Sequence, residues 1–304
     1  MDPPLPADKD RPTPITHVVA SHYNARPELG VDARKQSNVL QLRKFNNWVK
    51  SVLINQYTRG GHHALDLGCG KGGDLIKWNQ VRIRELVGLD IAKVSIEQAR
   101  QRYQSLKRAN FQATFHAVDC YQESITPYLP SGFMADVVSM QFCMHYAFDC
   151  EEHVRTMLQN VSRHLKPGGH FIGTIPNANF LVKRIRSIPD NQFGNSIYRV
   201  EFDSKDPFAL FGHCYRFTLR DAVDDCPEYL VHFKTFVAMA AEYGLQLLEN
   251  RPFHEFYAHH MNNPRAVELI HRMQVVSPQH PELSAEEWEV AGLYLAFAFK
   301  KRDN

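Results

Sequence analysis

The sequence predicts an α/β fold in which a doubly wound parallel sheet carries helices on both faces. Short apolar runs alternate with longer stretches whose apolar residues recur every three or four positions, as in strands that alternate with helices. Residues 64–90 contain one complete strand–helix–strand unit, with a glycine-rich turn between its first strand and its helix. Such turns lie at the edge where doubly wound sheets bind ligands. We therefore expect a Rossmann-like sheet with a ligand site at that turn.

Apolar periodicity and alternation define the elements in chain order. The first predicted helix illustrates the helical pattern: Val39, Leu42, Phe45 and Val49 recur at spacings of three and four and therefore share one face. Helices are predicted at residues 33–56, 73–78, 94–106, 152–165, 180–188, 231–243 and 266–273. Strands, which are short apolar or alternating runs, are predicted at residues 64–67, 86–89, 111–118, 134–141, 171–175, 245–248 and 293–299. The end of the chain is expected to make an antiparallel addition to the sheet.

Two segments depart from this alternation. Residues 1–16 carry five prolines among charged residues, so we expect a flexible tail followed by one domain at residues 17–304. Between residues 190 and 228 the helix–strand rhythm stops, and residues 195–202 and 214–219 alternate like the strands of a hairpin. We expect residues 190–228 to form an antiparallel insertion that lids the cleft.

Composition excludes several classes of protein. No apolar run approaches the roughly 20 residues that span a membrane, and the N-terminus lacks a secretory signal, so we expect an intracellular protein. The six cysteines show no C-x-x-C pair and no zinc spacing, so we expect reduced thiols and no metal site. In residues 34–108 basic residues outnumber acidic ones by about three to one. This excess indicates either a polyanionic substrate or a solvated helix surface.

The glycine-rich turn fits two cofactors. Gly68, Gly70 and Gly73 match the G-x-G-x-x-G dinucleotide pattern, and Asp90 is the acidic residue expected about 20 positions later. However, Asp66 stands two residues before the first glycine, where its carboxylate would repel a pyrophosphate and attract the ammonium of a methionine moiety. S-adenosylmethionine carries that ammonium and no phosphate. We therefore predict an S-adenosylmethionine site, with a plain tight turn as the alternative.

Other polar and aromatic residues stand where predicted elements meet the same edge. Asp119 ends the third strand, where it could accept a hydrogen bond from adenine; the alternative is an N-cap of the next helix. His145 and Tyr146 follow the fourth strand at the edge where open sheets bind ligands. Asn46 and Lys50 lie one turn apart on the first helix, just before the strand that leads to the glycine turn.

Together these segments resemble one family, the mRNA cap (guanine-N7) methyltransferases. The resemblance spans about residues 21–299 and is carried by His22-Tyr-Asn24, Arg43-Lys-Phe-Asn-Asn-Trp-Val-Lys50, Leu65-Asp-Leu-Gly-Cys-Gly-Lys-Gly-Gly-Asp-Leu75, Gln141-Phe-Cys-Met-His-Tyr146, Phe171-Ile-Gly-Thr-Ile-Pro-Asn177, Pro227-Glu-Tyr-Leu-Val231 and Tyr294-Leu-Ala-Phe-Ala-Phe299. The glycine turn alone marks only the broad superfamily of S-adenosylmethionine enzymes. The other segments are more specific when taken together.

The resemblance implies two sets of ligand-binding residues. The cofactor would be held by Lys50, Asp66, Gly68, Gly70, Asp90, Asp119, Gln141 and Tyr146. The guanosine cap and its phosphates would be held by Asn46, Asn47, Lys71, Lys77, Arg102, His145, Glu228 and Tyr294. Lysine and arginine suit the triphosphate bridge, a carboxylate can accept from the guanine N1–H and amine, and aromatic rings stack on purines.

The implied reaction transfers a methyl group from S-adenosylmethionine to N7 of the terminal guanosine of a GpppN cap. N7 has a free lone pair and no proton to lose, so no residue is expected to act as acid or base. We expect an in-line displacement that depends on proximity and orientation, effects worth up to roughly 7–11 kcal/mol. In that scheme Glu228, His145 and Tyr146 position the reactants.

The resemblance also implies a cellular setting. It suggests a nuclear monomer whose partners are capped RNA and, as candidates, other capping enzymes or the transcription machinery. Residues 273–285 are short compared with relatives that carry an extra lobe there. Because the N-terminal tail is only a few residues of linker-like sequence, we expect no fused guanylyltransferase or triphosphatase. Three alternatives stay open: a methyltransferase of small molecules, an RNA-binding or scaffold protein with a vestigial cofactor site, and a dinucleotide oxidoreductase. Salt-sensitive substrate binding would distinguish an enzyme that acts on RNA from a methyltransferase of small molecules.

Overall fold

A computed structural model describes residues 37, 39–280 and 282–303. The predicted tail, the motif at residues 22–24 and the beginning of the first predicted helix lie outside these residues. The helices are α1 Leu40–Tyr57, α2 Leu75–Val81, α3 Lys93–Gln104, α4 Glu151–His164, α5 Ala178–Arg186, α6 Phe233–Glu242, α7 Phe253–His260, α8 Pro264–Arg272 and α9 Ala285–Ala291. The strands are β1 His63–Leu67, β2 Glu85–Asp90, β3 Gln112–Ala117, β4 Ala135–Gln141, β5 Leu165–Pro176, β6 Gln192–Gly194, β7 Tyr198–Phe202, β8 Cys214–Leu219, β9 Val223–Tyr229, β10 Leu245–Pro252 and β11 Tyr294–Lys301. Two 3-10 helices, η1 Thr126–Tyr128 and η2 Met144–Asp149, flank β4.

The main sheet has seven strands in the order β10-β11-β5-β4-β1-β2-β3. Strands β1 to β5 are parallel, β11 pairs antiparallel with β5, and β10 pairs antiparallel with β11. The central strands are mostly apolar and largely buried, as is typical of parallel strands covered on both faces. The predicted doubly wound fold with a terminal antiparallel addition is confirmed. Because the strand order reverses between β1 and β4, the ligand crevice of such a sheet lies at their carboxyl ends.

A second, antiparallel sheet has the order β6-β7-β8-β9 and occupies the predicted insertion. The predicted pairing of β7 with β8 is confirmed, with Phe202 opposite Tyr215. Strand β9 was not predicted as a strand, because its residues 223–229 include two aspartates and Pro227. Proline is tolerated there since β9 is an edge strand of this sheet. The sheet extends one residue past the predicted boundary, to Tyr229.

Helices α7 and α9 are additional to the predicted elements. Both are short, with eight and seven residues, so their apolar periodicity is hard to detect. Helix α9 does have a start signal in the sequence, because Ser284 and Glu287 form a capping box. Glu287 also accepts a hydrogen bond from the Leu42 N–H at 3.0 Å and so ties α9 to the beginning of α1. Among the described helices, none has the length and apolar character needed to cross a membrane.

Candidate functional site

The turn after β1 depends on glycine at its first position. Gly68 has φ of 72°, and its N–H donates to the carbonyl of Leu89 at 2.7 Å. A Cβ atom at Gly68 would lie only 2.5 Å from Sγ of Cys143, which follows β4. The turn of β1 and the segment after β4 therefore touch, which brings two predicted ligand-binding regions together. Gly70 also has a positive φ, 52°, and a Cβ there would meet no described atom within 4 Å.

Asp90 closes this turn at the end of β2. Its Oδ2 accepts from the N–H of Gly70 and its Oδ1 from the N–H of Ala92, both at 2.8 Å. Burial raises the pKa of this carboxyl. Because a carboxylate oxygen can accept two hydrogen bonds, both oxygens keep capacity for ribose hydroxyls.

A buried ion network lies behind the turn. Oδ1 of Asp74 is 2.8 Å from Nζ of Lys50 and 2.7 Å from Nζ of Lys77. Burial alone would raise the pKa of Asp74, but the two ammonium groups hold it below its ordinary value. Asp66 lies nearby, where its Oδ2 accepts a hydrogen bond from Nε1 of Trp78 at 3.5 Å. Burial, together with the charge of Asp74, raises the pKa of Asp66 to about 8. The network thus joins a predicted cofactor lysine to a predicted cap lysine.

Helix α1 presents the predicted asparagines beside this network. Oδ1 of Asn47 accepts from Nζ of Lys77 at 2.8 Å. Oδ1 of Asn46 is buried and has no hydrogen-bond partner among the described residues. Lys77 is itself 8% exposed, and burial lowers the pKa of its ammonium. Its assignment to the cap phosphates stays a prediction, since its charge is already compensated by Asp74.

Asp119 and Gln141 lie at the carboxyl ends of β3 and β4. Asp119 accepts from the N–H of Tyr121 at 3.0 Å in a turn, and the following 3-10 helix has Ile125 as its N-cap. The alternative interpretation of Asp119 as an N-cap is therefore wrong. Burial raises the pKa of Asp119. Oε1 of Gln141 accepts from the hydroxyl of Thr174, and its Nε2 donates to Oγ of Ser139, both at 3.1 Å.

The antiparallel sheet meets the segment that follows β4 at Glu228 and His145. His145, in η2, is 2% exposed, and neither of its ring nitrogens has a hydrogen-bond partner among the described residues. Its Nε2 is 3.6 Å from Oε1 of Glu228, which lies in β9 and is 7% exposed. Next to His145, the hydroxyl of Tyr146 is 3.6 Å from Sγ of Cys226, two residues before Glu228. The antiparallel sheet therefore covers the carboxyl end of β4.

The remaining predicted residues, Tyr294, Lys71 and Arg102, differ in their burial. Tyr294, at the beginning of β11, is buried, with its ring 5.0 Å from that of Phe142. Phe142 has φ of 58°, a conformation that non-glycine residues adopt rarely and that often marks functional sites. Lys71 in the glycine turn and Arg102 in the last turn of α3 are half-buried.

Several residues of the site were missed by sequence reasoning. Asp74 had a detectable signal, since it belongs to the conspicuous glycine segment and stands at the N-cap of α2. The hydroxyl of Tyr215 donates to Oε2 of Glu228 at 2.6 Å. The only sequence signal for Tyr215 was the alternation of apolar and polar residues along β8, which indicates a strand and not a ligand site. Cys143 and Phe142 lay inside a motif that was singled out for its histidine and tyrosine. Their roles depend on contacts between distant segments, which local patterns do not specify.

The absence of a metal site stays a prediction. In the described part of the chain, Asp149, Cys150 and His153 bring potential ligand atoms within 4.8 Å of one another. They lie at the beginning of α4, where Nδ1 of His153 is 2.7 Å from Oδ1 of Asp149. That contact already satisfies both groups without an ion.

A family comparison identifies the family to which the chain belongs. The family model described as the mRNA (guanine-N(7))-methyltransferase domain matches residues 7–302. The chain belongs to this family. The predicted family is confirmed, and so is S-adenosylmethionine, the cofactor that the family uses. The donor set fits that group: half-buried carboxylates stand at the end of β2 and just after β3, and open space faces Gly70.

Named relatives agree with the family match. The chain is 46% identical to the mRNA cap guanine-N(7) methyltransferase of Cryptococcus neoformans over 294 residues, which are 93% of this chain and 47% of that protein. It is 47% identical to the mRNA cap guanine-N(7) methyltransferase of Schizosaccharomyces pombe over 296 residues, 94% of this chain and 82% of that protein. The chain thus spans about half the length of the Cryptococcus relatives that it matches.

Solved structures support the fold. The CcbJ methyltransferase of Streptomyces caelestis is similar with a TM-score of 0.54 and 12% identity, covering 96% of this chain and 99% of that one. An S-adenosylmethionine-dependent methyltransferase from Listeria monocytogenes also has a TM-score of 0.54, with 14% identity over 86% of this chain and 99% of that one. At such identities the likeness concerns the fold alone.

Proposed function

We propose that this chain transfers a methyl group to N7 of the terminal guanosine of a GpppN RNA cap and so forms the 7-methylguanosine cap of mRNA. The observation that carries the proposal is the buried pair of Glu228 and His145 at the carboxyl end of β4. This pair offers a carboxylate and an imidazole without hydrogen-bond partners on its nitrogens among the described residues, close to the glycine turn. Family membership supports the same reaction.

The chemistry of Glu228 suits guanine rather than adenine. An ionised carboxylate only accepts hydrogen bonds. Guanine presents two adjacent donors, N1–H and the exocyclic amine, whereas adenine has no N1–H. A buried acceptor left without a donor costs free energy, so adenine is disfavoured by the unpaired carboxylate as well as by the missing bonds. The rings of Tyr294 and Phe142 would supply the apolar wall against which the base stacks.

The cofactor assignments are proposals that follow the sequence motif. Gly68 and Gly70 lie in the turn between β1 and α2, and Asp66 and Asp90 stand near the carboxyl ends of β1 and β2. This is the position at which the fold binds its nucleoside ligand. Lys50, Asp119, Gln141 and Tyr146 complete the proposed set from α1, β3, β4 and η2. When bound, S-adenosylmethionine supplies an activated methyl group on a sulfonium.

No residue needs to remove a proton in the proposed reaction, because N7 of guanine has a free lone pair. Glu228, His145 and Tyr146 act by fixing the base relative to the methyl donor, and orientation of this kind can lower a barrier by roughly 7–11 kcal/mol. Positive charge passes to the guanine as the methyl moves. The nearby carboxylate of Glu228 favours that change.

The cap phosphates would meet the cationic groups on the same side of the sheet. Lys71 and Arg102 are half-buried at the glycine turn and at α3. Lys77, with Asn46 and Asn47 on α1, would join them from the ion network. Capped RNA is the proposed substrate, and nuclear capping enzymes or the transcription machinery are proposed partners of a monomeric enzyme.

The test is methyl transfer from labelled S-adenosylmethionine to RNA that ends in an unmethylated GpppG cap. The control is the same RNA with a bare 5′ triphosphate. We expect label only in the capped RNA, recovered as 7-methylguanosine after nuclease digestion. Binding of the cofactor without transfer to either RNA would contradict the proposal and favour a small-molecule substrate or a scaffold role.

A further inference from the structure

Tyr215 and Glu228 form a cross-strand pair in the antiparallel sheet. They are direct partners in the register of β8 and β9, so their side chains project from the same face. The hydroxyl of Tyr215 donates to Oε2 of Glu228 at 2.6 Å. Tyr215 is 1% exposed and its ring lies 5.4 Å from that of Phe202, its partner on β7. The phenol is thus held by packing before any ligand binds.

The two oxygens of Glu228 have different surroundings. Oε2 receives the Tyr215 hydroxyl, whereas Oε1 lies 3.6 Å from Nε2 of His145. A glutamate side chain has three rotatable bonds, and a carboxylate without a fixed partner can turn toward whichever donors are present. The hydrogen bond from Tyr215 removes this freedom and fixes the plane of the carboxylate. Each oxygen still has a lone pair for a base.

We propose that Tyr215 is a positioning residue that sets guanine selectivity by holding the carboxylate of Glu228 in one orientation. The inference rests on the proposed function, because it takes Glu228 as the group that contacts the base. It adds that recognition depends on β8 as well as on β9, through a residue that does not itself touch the cap. Removing the hydroxyl should therefore weaken discrimination between bases more than it weakens folding or cofactor binding.

The test compares Tyr215→Phe with a matched control, Tyr198→Phe. Tyr198 is also buried in this sheet, and its hydroxyl donates to a different carboxylate, Oε1 of Glu289, at 3.0 Å. Both variants lose one phenol–carboxylate hydrogen bond, but only Tyr215→Phe frees Glu228. Steady-state rates are measured with RNA capped by guanosine and with RNA capped by inosine, which lacks the exocyclic amine.

For Tyr215→Phe we expect kcat/KM on the guanosine cap to fall about tenfold, the effect of losing a hydrogen bond to a charged group. The loss on the inosine cap should be smaller, so that the guanosine-to-inosine ratio of kcat/KM falls severalfold. The dissociation constant of S-adenosylmethionine, measured by calorimetry, should stay within twofold of the wild-type value. Tyr198→Phe should keep the wild-type ratio.

A double-mutant cycle with Glu228→Gln keeps the test decisive if Tyr215→Phe also lowers stability. In the Glu228→Gln background, Tyr215→Phe should cause little further loss of kcat/KM, because the carboxylate that it positions is gone. Additive losses, or an unchanged guanosine-to-inosine ratio, would overturn the inference while leaving the proposed function intact. A wild-type protein inactive on both caps would instead refute the proposed function, and the inference with it.

Discussion

Nζ of Lys50 lies 2.8 Å from Oδ1 of Asp74, so that the middle of α1 is tied to the beginning of α2. The side chains of the pair are only 15% and 9% exposed, and Lys77 joins it from the first turn of α2. Two ammonium groups therefore depend on one carboxylate. This arrangement fixes α1, the carrier of three predicted ligand-binding side chains, against the glycine turn.

Asp74→Asn should destabilise the protein, because it leaves two largely buried ammonium groups without the carboxylate that pairs with them directly. We expect the free energy of unfolding in urea to fall by about 3 kcal/mol, as when a buried ion pair loses one partner. Asp206→Asn is the control, since Asp206 is 71% exposed in its pair with Arg186 and should cost under about 1 kcal/mol. Equal effects of the two substitutions would refute the importance of the network.

The raised pKa of Asp66 predicts a pH dependence of stability in the ligand-free protein. Burial and the charge of Asp74 raise this pKa to about 8, whereas an unfolded aspartate titrates near pH 4. Between these values the folded state holds a proton that the unfolded state has lost. Stability should therefore fall as pH rises through this window, by up to about 1.4 kcal/mol per pH unit.

Asp66→Asn isolates this contribution, because the amide does not titrate. Unfolding free energies of both proteins are measured from pH 5 to pH 8 without cofactor. The wild-type value minus the variant value should decrease steadily with pH. Parallel curves would show that Asp66 titrates normally in the folded protein.

Much of the fold was predictable because it depends on local pattern. Strand β1, the glycine turn and Asp90 follow one another within 28 residues, and buried parallel strands leave short, nearly continuous apolar runs. Strand β9 was not predictable in this way, since Pro227 and two aspartates are tolerated only because the strand lies at a sheet edge. The link between Tyr215 and Glu228 depends on the register of β8 against β9, which the sequence pattern does not specify.

Glu228→Ala should lower catalysis without abolishing cofactor binding. The substitution removes the acceptor proposed for the guanine edge and leaves the Tyr215 hydroxyl without its partner. Hydrogen bonds to charged groups are worth about 1.5–3 kcal/mol, so kcat/KM on capped RNA should fall about 10- to 100-fold. Calorimetry should show an unchanged dissociation constant for S-adenosylmethionine.

Glu289→Ala is the matched control for this measurement. Glu289 also accepts from a buried tyrosine, Tyr198, but it lies in α9, away from His145. We expect its kcat/KM to stay near the wild-type value. If Glu228→Ala retains full activity, the assignment of Glu228 to the cap pocket is wrong.

Gly68→Ala should damage the cofactor turn through a steric clash as well as backbone strain. The added Cβ would lie 2.5 Å from Sγ and 2.8 Å from Cβ of Cys143, distances that force the two segments apart. Gly61→Ala provides the control, because Gly61 also has a positive φ, 82°, while its Cβ would meet no described atom within 4 Å. Strain alone should cost roughly 1–2 kcal/mol in both variants. The clash should add about 1–3 kcal/mol in Gly68→Ala only.

Thermal and urea unfolding, together with calorimetric titration of S-adenosylmethionine, separate the effect of backbone strain from the effect of the steric clash. Gly68→Ala should bind the cofactor at least tenfold more weakly, whereas Gly61→Ala should bind it as the wild type does. Adding Cys143→Ala to Gly68→Ala removes the sulfur atom that makes the closest contact, so part of the lost affinity should return. If the double variant recovers nothing, strain at the turn rather than its contact with the segment after β4 limits cofactor binding.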